Sequence, residues 1–429
     1  MRVCVVGAGH IGLPTACIIA ETGTEVVAAD INESIVEGIN SGQTPIEEPG
    51  LRELLKKVHA SGKLTATTEV TESVRGSQAV IIIVPTPLTP EGPDMQFIES
   101  ATKSVAEGLQ KGTLVILEST VYPGTTKKII RPLLESSGLR ADEDFYLAYS
   151  PERAIPTRTI EEIRTNARVV GPIGPNSGKK AEEFYSTFIQ GEIDVAESAT
   201  IAEFVKLSEN IFRDVNIALA NELALVAGKL DINIEEITKF ANKHPRVNLH
   251  RPGAGVGGHC IPKDPYFIIN KAKDLGIETK LIATARDINA AMPQKVVSLV
   301  EEGLTEIDKN VSGATIAVLG FAYKGDTSDY RVTPAEAIIS SLREKGAHVR
   351  IHDPFVKSVQ GFDIEQDLPT VLTDSDCLVI VTDHSEYRNL NIGELSKQLS
   401  QPALVVDGRN LLDRSAVEQG GLSYRGIGK

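Results

Sequence analysis

The sequence has only four cysteines in 429 residues: Cys4, Cys17, Cys260 and Cys377. They lack the density of a disulfide scaffold and the paired spacing of a zinc site. We therefore expect reduced thiols and no structural metal centre.

Long apolar runs and basic charge are also missing. The N-terminal start is interrupted by glycines and a histidine, whereas a signal peptide needs an unbroken apolar core. The longest apolar run considered in the whole chain, residues 79–84, falls far short of the ~18 residues of a membrane span. Lysine and arginine number 44 against 58 acidic residues, a formal charge of −14, so no basic field is available for nucleic acid. These absences favour a cytoplasmic protein with neither membrane nor nucleic-acid partners.

The remaining composition is that of a large folded protein. The chain is 41% hydrophobic and 24% charged, unlike a disordered chain. At roughly 150 residues per domain, the length predicts about three domains.

Short apolar strands alternate with helical patterns in the first third of the chain and again in the last quarter. Continuously apolar strands are typical of a parallel sheet covered by helices on both faces. The fold class is therefore α/β, with two Rossmann-like doubly wound parallel-sheet domains. The predicted strands are residues 3–6, 25–29, 79–84 and 113–117, then 315–319, 348–351, 377–381 and 403–406.

A long helix is predicted between the two units, over residues 199–229. It would span roughly 45 Å and join the two units. Four of its apolar positions would leave an exposed patch unless another subunit covers them: Ala218, Leu219, Leu223 and Val226. A further helix is expected over residues 284–299, with a kink or break at Pro293. The domain boundaries are placed near residues 196 and 305.

The first strand leads into Gly7-Ala-Gly9-His-Ile-Gly12, which opens the first helix. In this context Gly7 permits a tight turn, Gly9 lets backbone approach a pyrophosphate, and Gly12 allows close helix packing. Asp30 ends the second strand, where a carboxylate accepts hydrogen bonds from an adenosine ribose and repels a 2′-phosphate. The pattern predicts NAD binding and disfavours NADP. The alternative is a glycine turn that serves packing alone.

Cys260 follows a dense run of glycines, Gly253-Ala-Gly-Val-Gly-Gly258-His259, and precedes Asp264 by four residues. Such a loop suits close approach of backbone to a ligand, where a thiol can act as a nucleophile. A buried structural cysteine is the alternative. Cys4, Cys17 and Cys377 lie in strand or helix patterns and are expected to be core residues.

Further polar residues stand where ligands bind in open α/β sheets. Thr86 and the Glu118-Ser119-Thr120 segment follow two predicted strands, and Glu152 with Arg153 follows a third. Lys206 and Asn210 are one helical turn apart and share a face of the long helix.

Seven segments together resemble the UDP-glucose/GDP-mannose dehydrogenase family, in the family's order and over almost the whole chain. The segments are GAGHIG, VPTP, ESTVYPGTT, YSPER, EFVKLSEN, GVGGHCIPKDPY and GFAYKGDTSDYR. The resemblance implies two Rossmann-type domains joined by a dimerising helix. It implies oxidation of the C6 alcohol of a nucleotide sugar to a carboxylate with two NAD. It accordingly implies an NAD-binding domain over residues 1–196, a central dimerisation region with the cysteine loop over 197–304, and a UDP-sugar-binding domain over 305–429.

The resemblance also implies roles for individual residues. Cys260 would carry a thiohemiacetal and then a thioester, with Lys206 and Asn210 stabilising the C6 oxyanion. Asp264 and Thr120 would orient or deprotonate water, and Glu152 would act as a general base. The cofactor residues implied are Gly7, Gly9, Gly12, Asp30, Thr86, Thr120 and Arg331. The substrate residues implied are Glu152, Arg153, Lys206, Asn210, Arg246, His259 and Lys324, with Lys324 and Arg331 reaching the substrate diphosphate or the cofactor.

Within the family, the motifs look more like those of members that oxidise UDP-N-acetylmannosamine. His259 replaces the serine that UDP-glucose enzymes usually carry, and Arg246 is expected to enter a neighbouring subunit's site or to be an exposed loop residue. Thr157 departs from the glycine usual in PERxxPG. Oxidation of UDP-glucose or UDP-N-acetylglucosamine, a single-step alcohol dehydrogenase, and a nucleotide-sugar or NAD sensor stay open as alternatives.

Overall fold

The computed structural model describes residues 1–90 and 92–429, which divide into two units. Unit 1 comprises Met1–Glu209 and Tyr266–Ile277, and unit 2 comprises Asn210–Pro265 and Glu278–Lys429. The division into three domains drawn from the sequence stays a prediction.

Unit 1 is built on one large sheet and a small hairpin. The strands are β1 (Arg2–Val6), β2 (Glu25–Ala29), β3 (Leu64–Thr67), β4 (Ala79–Ile82), β5 (Leu88–Thr89), β6 (Gly92–Pro93), β7 (Leu114–Leu117), β8 (Tyr146–Tyr149), β9 (Arg168–Pro172) and β10 (Ile193–Val195). The helices are α1 (Gly12–Glu21), α2 (Glu33–Asn40), α3 (Leu51–Ala60), α4 (Val70–Val74), α5 (Gln96–Gly108), α6 (Arg131–Glu135), α7 (Thr159–Thr165) and α8 (Pro175–Tyr185), with a π-helical turn at Thr126–Ile130.

Two helices belong partly to each unit by sequence range. They are α9 (Ala199–Lys229) and α11 (Asp264–Asp274). The long helix predicted over residues 199–229 is confirmed with the same bounds.

Unit 2 holds the remaining elements. The strands are β11 (Thr315–Leu319), β12 (His348–His352), β13 (Ile364–Glu365), β14 (Cys377–Ile380), β15 (Leu404–Asp407) and β16 (Ser423–Gly426). The helices are α10 (Ile234–Ala241), α12 (Lys280–Glu306), α13 (Pro334–Glu344), α14 (Leu368–Leu372), α15 (Ile392–Gln398) and α16 (Arg414–Gln419), with a 3₁₀ turn at Ser385–Asn389.

The two main sheets repeat one strand order. Unit 1 reads β10-β9-β8-β7-β4-β1-β2-β3 and unit 2 reads β13-β12-β11-β14-β15-β16. The six strands β3-β2-β1-β4-β7-β8 follow the 3-2-1-4-5-6 order of a dinucleotide-binding fold, as do the six of unit 2. Within these two sheets the pairings are parallel except for β8 with β9, where the strand direction reverses near the edge of the unit 1 sheet. The predicted pair of Rossmann-like domains is confirmed.

Both sheets are buried on two faces. In β1, Val3 and Val5 join one core cluster, whereas Cys4 and Val6 join the cluster on the opposite side. In β11 of unit 2, alternate residues are likewise shared between two clusters. This pattern explains the continuously apolar strands, because each face of the sheet needs its own apolar side chains.

Three cysteines are core residues, as predicted. Cys4, Cys17 and Cys377 are fully buried, whereas Cys260 is half-buried. Burial raises the pKa of the Cys4 and Cys17 thiols to about 12, so neither ionises near neutral pH.

Two expectations about helices need correction. Pro293 was expected to mark a kink or a break, and the break does not occur, because α12 runs uninterrupted through Pro293. A proline removes only one helical hydrogen bond. The residues around it, including Met292 and Val296, are buried in the core of unit 2 and favour continuity. Ala218 was expected in an exposed patch but is only 2% exposed, since its short side chain faces the protein interior.

Candidate active site

The glycine loop after β1 combines two glycines fixed by packing with one that faces open space. Gly7 has φ of +95°, and a Cβ there would lie 2.1 Å from the Ile83 carbonyl oxygen. A Cβ on Gly12 would lie 1.8 Å from the Gly7 carbonyl oxygen, whereas one on Gly9 would meet nothing within 4 Å. A ligand can therefore approach the backbone at Gly9 directly.

Asp30 lies beside this loop. Its carboxylate accepts hydrogen bonds from the Ala8 amide at 2.7 Å and the Asn32 amide at 2.9 Å, and the residue is half-buried. In unit 1, α1 has no acidic residue in its first turn, so its N-terminal amides suit a pyrophosphate. The open Gly9 backbone, this helix terminus and the half-exposed Asp30 fit an NAD molecule.

Unit 2 has an aspartate that corresponds to Asp30 but is inaccessible to a ribose. Asp353 follows β12 and accepts hydrogen bonds from Phe321 and Ala322, which mirrors Asp30 and Ala8. However, Asp353 is fully buried and also bonded by His384 Nε2 at 3.1 Å. The repeated fold therefore does not repeat the dinucleotide site.

The carboxyl ends of β4 and β7 are joined through a serine. The Ser119 hydroxyl donates to the Val84 carbonyl at 2.8 Å and accepts from the Val84 amide at 2.9 Å. Thr86 follows β4 and Thr120 follows β7, so both lie at the same edge of the sheet. Thr86 is buried and Thr120 is half-buried. This edge lies beside the β1–β4 switch in strand order, where open α/β sheets bind ligands.

The Glu152 carboxylate is held by three donors. Its Oε1 accepts from the Arg153 and Ala154 amides, both at 2.6 Å, and its Oε2 accepts from Arg168 Nη2 at 2.6 Å. Burial alone would raise the pKa of Glu152, but Arg168 and the two amides outweigh burial and hold it below its usual range. Glu152 is thus ionised but weakly basic.

The beginning of α9 fastens the loop that carries Glu152. Lys206 Nζ donates to the Glu152 carbonyl oxygen at 2.5 Å, and Arg153 forms an ion pair with Glu209 at 2.7 Å. Lys206 is half-buried, so it is not an ordinary solvated lysine. Asn210 lies one turn further along α9.

Cys260, Asp264 and Asn210 form a connected group in unit 2. The Asp264 amide donates to the Cys260 carbonyl oxygen at 2.8 Å, and Asn210 Nδ2 donates to Asp264 Oδ2 at 2.6 Å. Asn210 is 7% exposed and Asp264 is fully buried, so the amide and carboxylate interact away from water. The half-buried thiol lies where α11 begins.

The glycines before Cys260 allow close packing on the loop after β11. A Cβ on Gly257 would lie 2.5 Å from the Tyr323 side chain, and one on Gly258 would lie 2.9 Å from its ring. The Gly258 amide donates to the Arg331 carbonyl oxygen at 3.0 Å. The pKa of Arg331 is raised chiefly by its bonds to Asp329, with a further contribution from the charge of Cys260. This arginine therefore favours a thiolate at Cys260.

The other predicted substrate residues are distributed more widely. His259 is half-buried beside Cys260, whereas Lys324 is exposed on the loop after β11. Arg246 is exposed on the loop after α10. Exposure of Arg246 is compatible with both roles considered for it.

Sequence reasoning missed a buried polar network that holds the cysteine loop. Asn221 Oδ1 accepts from the Gly253 amide at 2.9 Å, and Asn221 Nδ2 donates to Asn289 at 2.8 Å. Asn289 and Arg286 both bond Asp214, the latter pair at 2.6 Å. A hint was available in Asp214 and Asn221, two hydrogen-bonding side chains within the predicted α9, but their partners on α12 were not predictable from spacing.

Comparison with known proteins agrees with this arrangement. Residues 1–189 match the NAD binding domain of the UDP-glucose/GDP-mannose dehydrogenase family, residues 200–291 its central domain, and residues 317–414 its UDP binding domain. The chain belongs to the UDP-glucose/GDP-mannose dehydrogenase family. It is accordingly an NAD-dependent UDP-sugar dehydrogenase, as the sequence predicted.

Several relatives of this dehydrogenase are similar over their full length. A protein of Pyrococcus horikoshii named UDP-N-acetyl-D-mannosamine dehydrogenase is 43% identical, covering 100% of this chain and 99% of its own. A solved structure described as a UDP-D-ManNAc dehydrogenase from that organism has a TM-score of 0.94, with the same identity and coverage. A structure of a UDP-glucose dehydrogenase from Pyrobaculum islandicum has a TM-score of 0.88 at 28% identity, covering 100% of this chain and 97% of its own.

Across residues 1–90 and 92–429, no group of three or more His, Cys, Asp or Glu side chains is arranged to hold a metal ion. In the part of the dehydrogenase that the structure describes, no helix combines the length and hydropathy of a membrane span.

Proposed function

We propose that this dehydrogenase oxidises UDP-N-acetyl-D-mannosamine to UDP-N-acetyl-D-mannosaminuronate, a four-electron conversion of the C6 alcohol to a carboxylate. The observation that carries the chemistry is the half-buried Cys260 joined to Asp264 and Asn210 in unit 2. The choice of sugar is supported by sequence identity, because the relative named UDP-N-acetyl-D-mannosamine dehydrogenase is 43% identical, whereas the UDP-glucose dehydrogenase of known structure is 28% identical.

The cofactor is assigned to the unit 1 glycine loop and Asp30. NAD bound there would accept a hydride from the sugar C6 in each of the two oxidations. The chain's own part is to hold the cofactor phosphates at the N-terminus of α1 and the ribose at Asp30.

The covalent steps belong to Cys260. Loss of a hydride and of the hydroxyl proton from the C6 alcohol first gives an aldehyde. The Cys260 thiolate adds to this aldehyde, forming a C–S bond, and the C6 oxygen takes up a proton to give a thiohemiacetal. Loss of hydride and of the hydroxyl proton gives a thioester. Water then adds to the thioester carbonyl, and cleavage of the C–S bond releases the carboxylate and restores the thiol.

Lys206 and Asn210 stabilise the negative charge that develops on the C6 oxygen. An ammonium has three N–H donors, so Lys206 can keep its bond to the Glu152 carbonyl and still donate to an oxyanion. Asn210 has a second amide N–H besides the one that bonds Asp264. Donors fixed in a site that excludes water stabilise such charge more than donors in solution.

Hydrolysis of the thioester needs a base and a positioned water. Asp264 and Thr120 orient the water, and Glu152 is the general base. Arg153, His259, Arg246 and Lys324 are assigned to the substrate, and Thr86 and Arg331 to the cofactor, with Arg331 also favouring the Cys260 thiolate.

We also propose that the enzyme is a cytoplasmic homodimer or larger assembly formed through α9. The support is that Leu219, Leu223 and Val226 are 42%, 37% and 54% exposed, an unusual density of apolar side chains on one helix. Arg246 would then reach a neighbouring subunit's site.

A panel of UDP-sugars with NAD tests the proposed function. UDP-N-acetyl-D-mannosamine should yield two NADH per sugar and be turned over fastest. Faster turnover of UDP-glucose or UDP-N-acetylglucosamine would replace the proposed substrate. One NADH per sugar would indicate a single-step alcohol dehydrogenase, and binding of UDP-sugar without NADH would indicate a sensor.

A further inference from the structure

Four side chains at the ends of β7, β8, β9 and α8 form a buried group that we call the Arg168 cluster: Glu118, Glu152, Arg168 and Tyr185. Arg168 bonds Glu152 at 2.6 Å and lies 3.7 Å from Glu118. The Tyr185 hydroxyl donates to Glu118 at 2.5 Å, and the Arg168 guanidinium lies 5.3 Å from the centre of the Tyr185 ring. The side chains of Glu118 and Arg168 are 0% and 3% exposed, so water screens these charges little.

The cluster contains two carboxyl groups and one guanidinium. Two ionised carboxylates would leave an excess negative charge in a buried site, which is unfavourable. Glu152 has three donors, whereas Glu118 has the Tyr185 hydroxyl and a longer contact with Arg168. Among residues 1–90 and 92–429, Glu118 Oε2 has no hydrogen-bond partner. An unpartnered buried oxygen costs less in a neutral carboxyl group than in a charged carboxylate, which favours protonation of Glu118.

Because Glu152 has more hydrogen-bond donors than Glu118, the two carboxyl groups differ in how readily they ionise. Burial raises the pKa of Glu118 to about 7, opposed by Arg168 and reinforced by the charge of Glu152. The groups that face Glu118 are thus Arg168 on β9, Glu152 after β8 and Tyr185 on α8. Glu118 changes charge near neutral pH while Glu152 stays ionised.

We propose that Glu118 is a positioning residue of the dehydrogenase, which acts through Arg168 and controls how strong a base Glu152 is. While Glu118 is protonated, the positive charge of Arg168 acts on Glu152 alone and weakens it as a base. When Glu118 ionises, its negative charge opposes that of Arg168, and Glu152 binds a proton more readily. This proposal rests on the proposed function, because it assigns Glu152 to hydrolysis of the thioester.

The same contacts extend to the oxyanion site. The carbonyl of Glu152 accepts from Lys206, so a change in the position of Glu152 is transmitted to a residue that stabilises the C6 oxygen. The cluster therefore supports both halves of the proposed chemistry. An ion pair that served folding alone would have no such effect on rate.

Infrared difference spectroscopy tests the ionisation without substrate. The wild-type enzyme should lose the C=O stretch of a protonated carboxylic acid as pH rises through about 7, and Glu118→Gln should lack this band. Absence of the band from the wild type would overturn the proposal. This measurement is independent of turnover, so it distinguishes failure here from failure of the proposed function, which the absence of NADH with every UDP-sugar would show.

The decay of the acyl-enzyme, followed by intact mass after acid quenching, tests the effect on catalysis. In the wild type, decay should accelerate as pH rises through about 7. Glu118→Gln resembles the protonated state at every pH, so its decay should lose this inflection and be roughly three- to tenfold slower near pH 8. An unchanged profile in Glu118→Gln would exclude the positioning role.

Tyr185→Phe provides a second variant that keeps both carboxyl groups. Its loss of a donor to ionised Glu118 should move the inflection to higher pH, because the Tyr185 hydrogen bond lowers the pKa of Glu118. Tyr146→Phe is the matched control, since Tyr146 lies on neighbouring β8 outside the cluster. An inflection that stays in place in Tyr185→Phe, or moves equally in Tyr146→Phe, would contradict the proposal.

Discussion

Thr157 adopts a backbone conformation that β-branched residues rarely occupy. Its φ is +77°, and the loop is held there by Glu48, which accepts from the Thr157 amide at 3.0 Å and the Thr159 amide at 2.8 Å. Family members of the type that this chain resembles usually have glycine at this position. Glycine adopts a positive φ without steric strain, which explains that preference. The backbone at Thr157 is therefore strained in the loop that follows Glu152.

Thr157→Gly should relieve that strain. We expect the free energy of unfolding to rise by about 1 kcal/mol, the net of relieved strain and the greater backbone entropy of glycine in the unfolded chain. Urea denaturation would measure the change. Thr157→Ala is the control, because it removes the β-branch but keeps the Cβ, and it should gain less; equal or lower stability of the glycine variant would contradict the strain.

Cys260→Ser should separate covalent catalysis from binding. The change is nearly isosteric, so folding and NAD affinity should persist while acid formation collapses, since a hydroxyl has a far higher pKa than the ~8.5 of a thiol. Mass spectrometry of the quenched wild type should show an adduct of the sugar nucleotide on Cys260. A Cys260→Ala enzyme that still released two NADH per sugar at full rate would exclude the thioester.

Asp30 should exclude NADP. A 2′-phosphate a few ångströms from this carboxylate would meet a repulsion of roughly 1 to 4 kcal/mol, depending on the local dielectric. Steady-state kinetics with both cofactors should therefore show a clear preference for NAD in kcat/KM. Equal turnover with NADP would show that Asp30 does not face the ribose.

At the scale of elements, α9 connects residues from several loops. In unit 1, Glu203 accepts from the Gly124 amide at 2.5 Å and the Thr126 amide at 2.7 Å, and Lys206 fastens the loop of Glu152. Further along the helix, Asn221 holds the start of the cysteine loop. The helix therefore organises site residues along most of its length, in addition to any role in assembly.

Val226→Glu tests the assembly through α9. A buried carboxylate without a partner is unfavourable, so the variant should shift the proposed dimer toward monomer, and sedimentation velocity would detect the shift. Glu222→Gln, one turn earlier on the same helix, introduces no charge and keeps the size of the side chain, so it should leave the assembly unchanged. A wild type that sediments as an active monomer would remove both the dimer and the trans role of Arg246.

Local sequence signals predicted the helices and strands better than the contacts between them. Periodicity and glycine signals are local, which is why the bounds of α9 and the strand repeats agree with the structure. The helix does not break at Pro293, because packing of the neighbouring residues outweighs one lost hydrogen bond. Glu152 was recognised from its motif, but Arg168 was not, since their 2.6 Å contact depends on strand pairing at the edge of the sheet.

At the scale of the whole molecule, one fold occurs twice with different chemistry. Both sheets have the same strand order, and both second strands are followed by an aspartate bonded to the loop after the first strand. Only Asp30 remains accessible, since His384 and complete burial close Asp353. A single accessible aspartate of this kind is consistent with one NAD site per chain.

Unit 1 also depends on residues beyond the predicted boundary at 196. Ala199 and Ala202 are at most 1% exposed within its core, and the Glu203 carboxylate holds the loop at Gly124. A fragment of residues 1–196 should therefore be less stable than one of residues 1–209, by roughly 2 to 4 kcal/mol from the lost burial and charged hydrogen bonds. Thermal unfolding followed by circular dichroism would compare the two, with Glu203→Gln in the longer fragment separating the hydrogen bonds from the apolar packing. Equal midpoints for the two fragments would place the boundary at 196 after all and make the start of α9 dispensable to unit 1.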